Sequence, residues 1–171
     1  MKIKIERKQI GGLLPVGDHK VTITEASIDM SKEQPNWSDK TPQLKVVCKN
    51  EQGQITGWLN LKGYKNSSDS NEIAPKGFEF RSYDANSEKF LVDKRTSKRV
   101  ESPERTAKLL ENVGNLAFAA GLEGEELDIN EIVEALTDAE VGVRVRDNGR
   151  GVEAYYFMPA KEVRAKAAIA G

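Results

Sequence analysis

Residues 141–157 read VGVRVRDNGRGVEAYYF and predict a β-hairpin. Three valines alternate with a glycine and two arginines, which is the two-residue period of a half-buried strand. The pair Asn148-Gly149 is the strongest short-range signal for a tight turn between strands. We therefore predict two antiparallel strands, over residues 141–146 and 152–157, at the end of the fold.

The segment before this hairpin predicts two helices. Ser102 suits the N-cap, and Pro103 the first position, of a helix over residues 103–120. Gly121 would end this helix, and apolar side chains recur within it at helical spacing. Asp128 would cap a second, short helix, because a hydrophobic staple and an acidic residue three positions later accompany it.

Three strand-like segments come first, over residues 19–28, 43–49 and 54–61. Apolar and polar side chains alternate in each, and Gly57 in the third would mark a bend. Three strands, a helix and two further strands is the order of a five-stranded OB barrel, whose sheet face and loops commonly hold oligonucleotides. We therefore predict a mainly β fold with α, an antiparallel five-stranded OB barrel with a helix between strands three and four.

Residues 63–102 are too long for a simple connection and predict an inserted hairpin region. We expect residues 78–83 to pair with residues 89–92, and residues 98–100 to return onto this hairpin. The polar stretch NSSDSN at 66–71 has almost nothing to bury, so we predict that it is the most mobile part.

The length of 171 residues suits one domain with an insertion. We predict a single OB-fold domain over residues 1–158, with the insertion at about 63–102 and a C-terminal tail over 159–171 that forms a frayed helix. No apolar run approaches the roughly 20 residues that span a bilayer. The single cysteine, Cys48, excludes a disulfide framework. We therefore expect a cytoplasmic protein with no membrane partner.

The net charge of −1 conceals a segregation along the chain. Residues 1–108 hold 20 basic and 15 acidic side chains, residues 109–140 nine acidic and no basic ones, and residues 141–171 six basic and three acidic ones. A solubility balance is the commoner explanation of charge runs. The acidic block, however, coincides with the helical part, which would leave basic strands free to attract phosphate by long-range steering.

Catalytic chemistry has little support in the sequence. With one histidine and one cysteine, the chain can assemble neither a histidine-based zinc site nor a Cys/His nucleophile pair. We expect His19 at the surface and Cys48 in the core as a small apolar residue. The acids of residues 123–128 lack the spacing of a calcium loop, so a solvated charge run explains them better. We predict no enzymatic activity, no metal site and no cofactor.

Binding a nucleic-acid single strand needs cations for the phosphates and aromatic planes on which bases stack. Strand alternation points Trp58 outward as one such plane. Trp37, in the first long loop, is equally consistent with stacking and with packing over the barrel end. We expect Trp58 and Tyr64 to stack bases, and Trp37 to do so if it does not pack over the barrel end. The predicted nucleic-acid-binding residues are Trp37, Lys40, Lys45, Lys49, Trp58, Lys62, Tyr64, Lys94, Arg95, Lys98, Arg99, Arg144, Arg146 and Arg150.

Four segments carry a family resemblance: LPVGDHKVTI at 14–23, DKTPQL at 39–44, GWLN at 57–60 and NLAFAAGL at 115–122. Together they resemble bacteriophage single-stranded DNA-binding proteins, an OB-fold group often catalogued only as a domain of unknown function. The resemblance covers roughly residues 13–62 and 105–158. It departs at His19, where the group usually has tyrosine, and at the insertion, which has no counterpart.

The resemblance implies a non-enzymatic protein that coats single-stranded DNA in phage replication or recombination, in the host cytoplasm. Replication or recombination proteins would be further partners, and the oligomeric state stays open. The rival function is an OB-fold protein-interaction or assembly module, with acidic residues 111–140 as its contact surface. A binder needs its basic and aromatic residues on one face, whereas the rival needs an exposed apolar patch.

Overall fold

The computed structural model describes residues 1, 12–82, 88–124 and 126–164. Within them the protein is mainly β, with two helices and antiparallel sheets. The predicted strands of the main sheet and the first helix are confirmed, with ends within two residues of those predicted. The elements in chain order are β1 (Gly17–Met30), β2 (Pro42–Asn50), β3 (Gly53–Asn60), β4 (Asn66–Ser67), β5 (Phe78–Ser82), β6 (Lys89–Asp93), α1 (Pro103–Ala119), α2 (Ile129–Leu136), β7 (Glu140–Asp147), β8 (Val152–Met158) and a 3₁₀ turn (Ala160–Glu162).

The larger sheet has five strands in the order β3-β2-β1-β7-β8. β1 and β7 are antiparallel, with Val21 opposite Val141, and β7 and β8 form the predicted terminal hairpin. α1 lies in the connection between β3 and β7, which are the third and fourth strands of this sheet in chain order, as predicted. Among the described residues no ladder joins β3 to β8, so these strands are the two edges and the ladders do not close the sheet into a barrel.

The buried face of this sheet is built from alternate strand positions, which point to the same side of a strand. Val21 and Ile23 of β1 and Val46 and Cys48 of β2 are buried. Cys48 is therefore in the core, as predicted. Its burial disfavours the charged thiolate and raises the pKa of the thiol to about 12, so this cysteine is a packing residue and not a nucleophile.

His19 shares this buried face, and the prediction of a surface position is wrong. It lies opposite Val143 in the ladder between β1 and β7 and is almost fully buried. Its ring Nε2 donates a hydrogen bond to the carbonyl of Pro15 at 2.7 Å, which satisfies the buried polar group. His19 alternates with exposed residues in the same period as Val21 and Ile23, so it lies on the buried face although its neighbours in the sequence are polar.

Both helices carry the predicted caps. The Ser102 hydroxyl accepts the Arg105 backbone N–H at 3.3 Å at the start of α1, and Gly121 follows its end with φ +82°. The Asp128 carboxylate accepts the Asn130 backbone N–H at 3.2 Å at the start of α2. Local capping chemistry therefore sets the limits of these helices.

The chain divides into two compact units. The first unit comprises Met1–Ser27, Lys45–Trp58 and Gly114–Gly171, and the second comprises Ile28–Leu44 and Leu59–Val113. The second unit contains the smaller sheet, in the order β4-β6-β5. The single domain with an insertion stays a prediction.

The predicted hairpins of the second unit are confirmed. β5 and β6 pair antiparallel with Phe80 opposite Leu91, and Arg99 returns to form a bridge with Val92. β4 pairs with β6, so the first two residues of the stretch 66–71 belong to a sheet. The mobility of that stretch stays a prediction.

Two predictions reach beyond the described residues. Tyr83, the last residue of the predicted strand 78–83, lies outside them, as do residues 165–171 of the predicted helical tail. Of the tail, Ala160–Glu162 form a single 3₁₀ turn.

Candidate nucleic-acid interface

Trp58 lies on the solvent side of β3, as strand alternation predicts. Half of its surface (51%) is exposed, and the flanking positions of the strand carry the buried face. The Lys45 ammonium lies 5.6 Å from the centroid of the Trp58 ring and 3.7 Å from the Glu25 carboxylate. The two strands therefore present an indole plane with a cation beside it.

A second aromatic group lies on β8, and it was not among the predicted site residues. In the ladder of β7 with β8, Arg144 pairs with Tyr156 but Val145 pairs with Ala154, so Tyr155 is an extra residue. Such a β-bulge breaks the alternation of the strand. Tyr155 and Tyr156 are therefore both exposed, at 55% and 45%, although a regular strand would place them on opposite faces.

The arginines of β7 lie over these two rings. The guanidinium carbon of Arg146 is 3.8 Å from the Tyr155 ring centroid, and that of Arg144 is 5.6 Å from the Tyr156 centroid. Both distances are within the range of cation–π attraction. The predicted cations Arg144 and Arg146 are thus exposed and held in place, each beside an aromatic plane that the sequence pattern did not reveal.

Each of these arginines also has a carboxylate partner. Arg144 donates two hydrogen bonds to Asp18, and this contact lowers the pKa of the Asp18 carboxyl group. Arg146 donates a hydrogen bond to Glu153 at 2.6 Å. This bond, and to a smaller extent the hydrogen bond from Asn148, lowers the pKa of the Glu153 carboxyl group. These pairs are exposed to solvent, so they contribute little to stability and a phosphate could replace the carboxylates at small cost.

The β3 and β8 edges approach each other beside these rings. A methyl group built on Gly57 would lie 3.6 Å from the Cβ atom of Ala154. Trp58 follows Gly57 in β3, and the two exposed tyrosines follow Ala154 in β8, so all three rings belong to residues within two positions of this approach. We call this group the aromatic seam, and it consists of Trp58, Tyr155, Tyr156, Lys45, Arg144 and Arg146.

Two of the predicted stacking residues are buried, so the prediction that they stack bases is wrong. Trp37 is 7% exposed, and its ring packs edge-to-face against Phe90 at a centroid distance of 5.5 Å. Tyr64 is also buried, and its hydroxyl accepts a hydrogen bond from Thr41 Oγ1 at 3.2 Å. For Trp37 the packing alternative is the correct one.

Arg99 holds this aromatic cluster together and is not an exposed cation. Its side chain is 8% exposed and forms an ion pair with Asp39 at 3.0 Å. Its guanidinium carbon lies 3.8 Å from the Tyr64 ring centroid and 4.5 Å from that of Trp37. The prediction of a nucleic-acid contact at Arg99 is therefore wrong, because the bridge to Val92 and the ion pair with Asp39 turn this side chain inward.

The remaining predicted cations are at least partly exposed. Lys40 lies 3.5 Å from Glu33, and Lys62 lies 3.8 Å from Glu101, so acidic neighbours partly neutralise both. The others make no ion pair with another described residue, and they are Lys49, Lys94, Arg95, Lys98 and Arg150.

The described residues offer no group of three histidine, cysteine, aspartate or glutamate side chains that could hold a metal ion. No helix in the described part of the chain has the length and hydropathy needed to cross a membrane. No protein-family model matches this chain, and no curated protein matches it. Function therefore rests on the geometry of the aromatic seam.

Proposed function

We propose that this protein binds single-stranded DNA through the aromatic seam and has no enzymatic activity. The observation that carries the proposal is the grouping of three exposed rings, each beside a cation, around one approach between strands. Bases stack on aromatic faces for about 1–3 kcal/mol each, whatever their sequence. The neighbouring Lys45, Arg144 and Arg146 would supply the charge that a phosphate backbone requires by exchanging their exposed carboxylate partners for phosphates.

We further infer that the five-stranded sheet is an OB-type barrel left partly open between β3 and β8. Its support is the strand order, the position of α1 in the chain, and the close approach of Gly57 to Ala154. OB barrels are partly open, and their strands and loops bind oligonucleotides. The proposed role, coating single strands in phage replication or recombination, is supported by the four segments that resemble phage single-strand binders.

Fluorescence of single-tryptophan variants tests the binding. Trp37→Phe leaves Trp58 as the reporter in the seam, and Trp58→Phe leaves Trp37 as the reporter in the buried cluster. Titration with oligo(dT) at low salt should quench the first variant and leave the second nearly unchanged, because only an exposed indole can stack on a base.

The same titration defines what would overturn the proposal. Folded wild-type protein, checked by circular dichroism, that shows neither quenching nor a gel shift with oligo(dT) at low salt would exclude single-strand binding. Quenching of Trp37 but not of Trp58 would move the binding surface away from the seam.

A second candidate function is a protein-interaction or assembly module. Phe118 on α1 is 69% exposed, and the acidic Glu123, Glu126 and Glu134 that follow are exposed without an ion pair to another described residue. An exposed aromatic side chain and unpaired acids in the same helical part of the chain suit a basic protein surface. A protein that fails the oligo(dT) titration would favour this second function.

A further inference from the structure

Hydrogen bonds within the turn that follows β6 fix the conformation of its backbone. The Ser97 N–H donates to the Asp93 carbonyl at 2.8 Å, and the Asp93 N–H donates to the Lys98 carbonyl at 2.9 Å. The Asp93 carboxylate accepts the Arg95 N–H, and Thr96 Oγ1 accepts the Lys98 N–H. None of these bonds uses a basic side chain, so the cations of the turn are free to face a ligand.

The first long loop braces this turn from outside. Ser38 donates its N–H to the Ser97 carbonyl at 2.8 Å and its hydroxyl to the Thr96 carbonyl at 2.9 Å. Asp39 accepts the Arg99 backbone N–H at 2.9 Å and pairs with the buried Arg99 side chain. The turn is therefore held in one conformation before any ligand arrives, which lowers the ordering cost of binding.

A fourth cation lies next to the turn and comes from the segment just before β5. The Lys94 N–H donates to the Gly77 carbonyl at 3.0 Å, which brings the neighbouring Lys76 to the same end of the hairpin. All four cations are exposed, and none makes an ion pair with another residue of the described chain. The only acid within the turn, Asp93, is engaged by the Arg95 backbone. We call this group the basic turn, and it consists of Lys76, Lys94, Arg95 and Lys98.

We propose that the basic turn is a second phosphate-contact surface for the same single-stranded DNA, and this inference rests on the proposed function. Four unpaired cations on a braced turn provide a positive potential that attracts a polyanion and loses strength in salt. The turn itself has no aromatic residue. Its contribution is therefore electrostatic and independent of base identity, unlike that of the aromatic seam.

Two matched triple variants test the proposal. The test variant carries Lys76→Ala, Lys94→Ala and Lys98→Ala, and the control removes three other exposed lysines with Lys65→Ala, Lys108→Ala and Lys161→Ala. The net charge changes equally in both. Affinity for long oligo(dT) is measured against salt concentration for each variant and for the wild type.

The test variant should lose about 2 units of the slope of log affinity against log salt, because each phosphate contact on a single strand contributes about 0.7. Its saturating Trp58 quench should equal that of the wild type, and the control slope should be unchanged. Equal slopes for the two variants, with wild-type binding intact, would overturn this inference and leave the proposed function standing. A wild type without quench or gel shift would overturn both.

Lysine acetylation of the wild-type protein gives a second, residue-specific readout. Excess oligo(dT) should slow the modification of Lys76, Lys94 and Lys98 several-fold, as followed by mass spectrometry, and leave that of Lys65 and Lys108 unchanged. Equal modification rates with and without oligo(dT) at the three lysines of the turn would contradict the contact.

Discussion

At the scale of single residues, the chemical type of a side chain did not by itself determine whether it is buried or exposed. Trp37 and Trp58 are the only tryptophans, yet one is 7% and the other 51% exposed. Trp58 belongs to a strand, whose period defines an outer face. Trp37 belongs to a loop without a period, and its position depends on Arg99 and Phe90, which lie about fifty or more residues further along the chain.

Arg99 should be among the residues most important for stability. Arg99→Met should lower the free energy of unfolding by about 3 kcal/mol, because the Asp39 carboxylate, whose side chain is only 16% exposed, would lose its cation. Lys40→Met, which breaks an exposed pair with Glu33, should cost less than about 1 kcal/mol. Urea denaturation measures both, and equal costs would show that the Arg99 pair is not a buried anchor.

Cys48 should impose a pH dependence on stability in the alkaline range. Its thiol ionises near 9.0 in the unfolded chain, whereas burial raises its pKa to about 12 in the folded protein. Above about pH 9 the unfolded state therefore holds fewer protons, and the free energy of unfolding falls by up to about 1.4 kcal/mol per pH unit. Below that pH the thiol has no such effect.

Cys48→Ala is the control for this thiol, since it removes the titrating group and leaves the other alkaline titrations in place. The wild type should lose stability faster than the variant as pH rises above about 9. Parallel profiles in urea denaturation would mean that the thiol is not protected from ionisation.

At the scale of elements, two irregularities shape the aromatic seam. The bulge in β8 adds one residue and turns two consecutive tyrosines to solvent. Gly57 allows β3 and β8 to approach, since a side chain there would meet the Phe157 ring at 3.1 Å. Both features are departures from regular strand geometry, and such departures are common next to functional sites.

Deleting one tyrosine from the pair Tyr155-Tyr156 should preserve the fold. The bulged residue is extra, so its removal leaves every other residue of β8 on its present face. One stacking plane is lost, and affinity for oligo(dT) should fall by about 1–3 kcal/mol in free energy.

Deletion of Glu153, which is paired regularly with Arg146, is the matched control. It shifts the register and moves side chains to the wrong face, so the protein should be strongly destabilised. Circular dichroism and gel shift separate the two outcomes. A tyrosine deletion as destructive as the Glu153 deletion would argue against the bulge.

The two glycines Gly57 and Gly114 should respond oppositely to alanine. Gly57→Ala should destabilise the protein by about 1–3 kcal/mol, because the added methyl would lie 3.1 Å from both Phe157 and Val46. Gly114 lies in α1, and a methyl group there would meet no atom within 4 Å apart from the helix's own backbone, so Gly114→Ala should stabilise the helix by up to about 1 kcal/mol. Thermal unfolding of both variants measures the difference, and a neutral Gly57→Ala would mean that β3 and β8 have room to separate.

At the scale of the whole molecule, charge is distributed unevenly. Residues 109–140 hold nine acidic and no basic side chains, whereas the parts before and after them are net basic. Such a block makes the electrostatic potential around it more negative and would repel the DNA strand of the proposed function. Its effect acts over a distance and is limited by the screening of salt.

Removing part of this acidic block should therefore strengthen DNA binding only at low salt. A variant with Glu123→Gln, Glu126→Gln and Glu134→Gln should bind oligo(dT) several-fold more tightly at low ionic strength. The gain should disappear towards 1 M salt, where the Debye length falls to about 3 Å. Affinity measured by fluorescence quenching provides the test, and a gain that survives high salt would point to a direct contact instead of long-range repulsion.

The features that the sequence determined by itself are local ones. The five strands of the main sheet, the caps at Ser102 and Asp128, and the opposite faces of Cys48 and Trp58 follow from strand period and capping chemistry. Each depends on residues a few positions apart, which interact in much the same way wherever the chain places them.

The composition of the candidate site depends on how the chain folds in three dimensions. The burial of Tyr64 and Arg99 depends on partners 23 and 60 residues away, whereas the bulge at Tyr155 and the place of Lys76 depend on the register of two hairpins. Sequence reasoning assigned Arg99 to the surface because its charge suggests solvent. Its carboxylate partner, Asp39, lies sixty residues away and supplies the compensation that permits burial. Contacts of that kind have no local signature, because they exist only after the chain has folded.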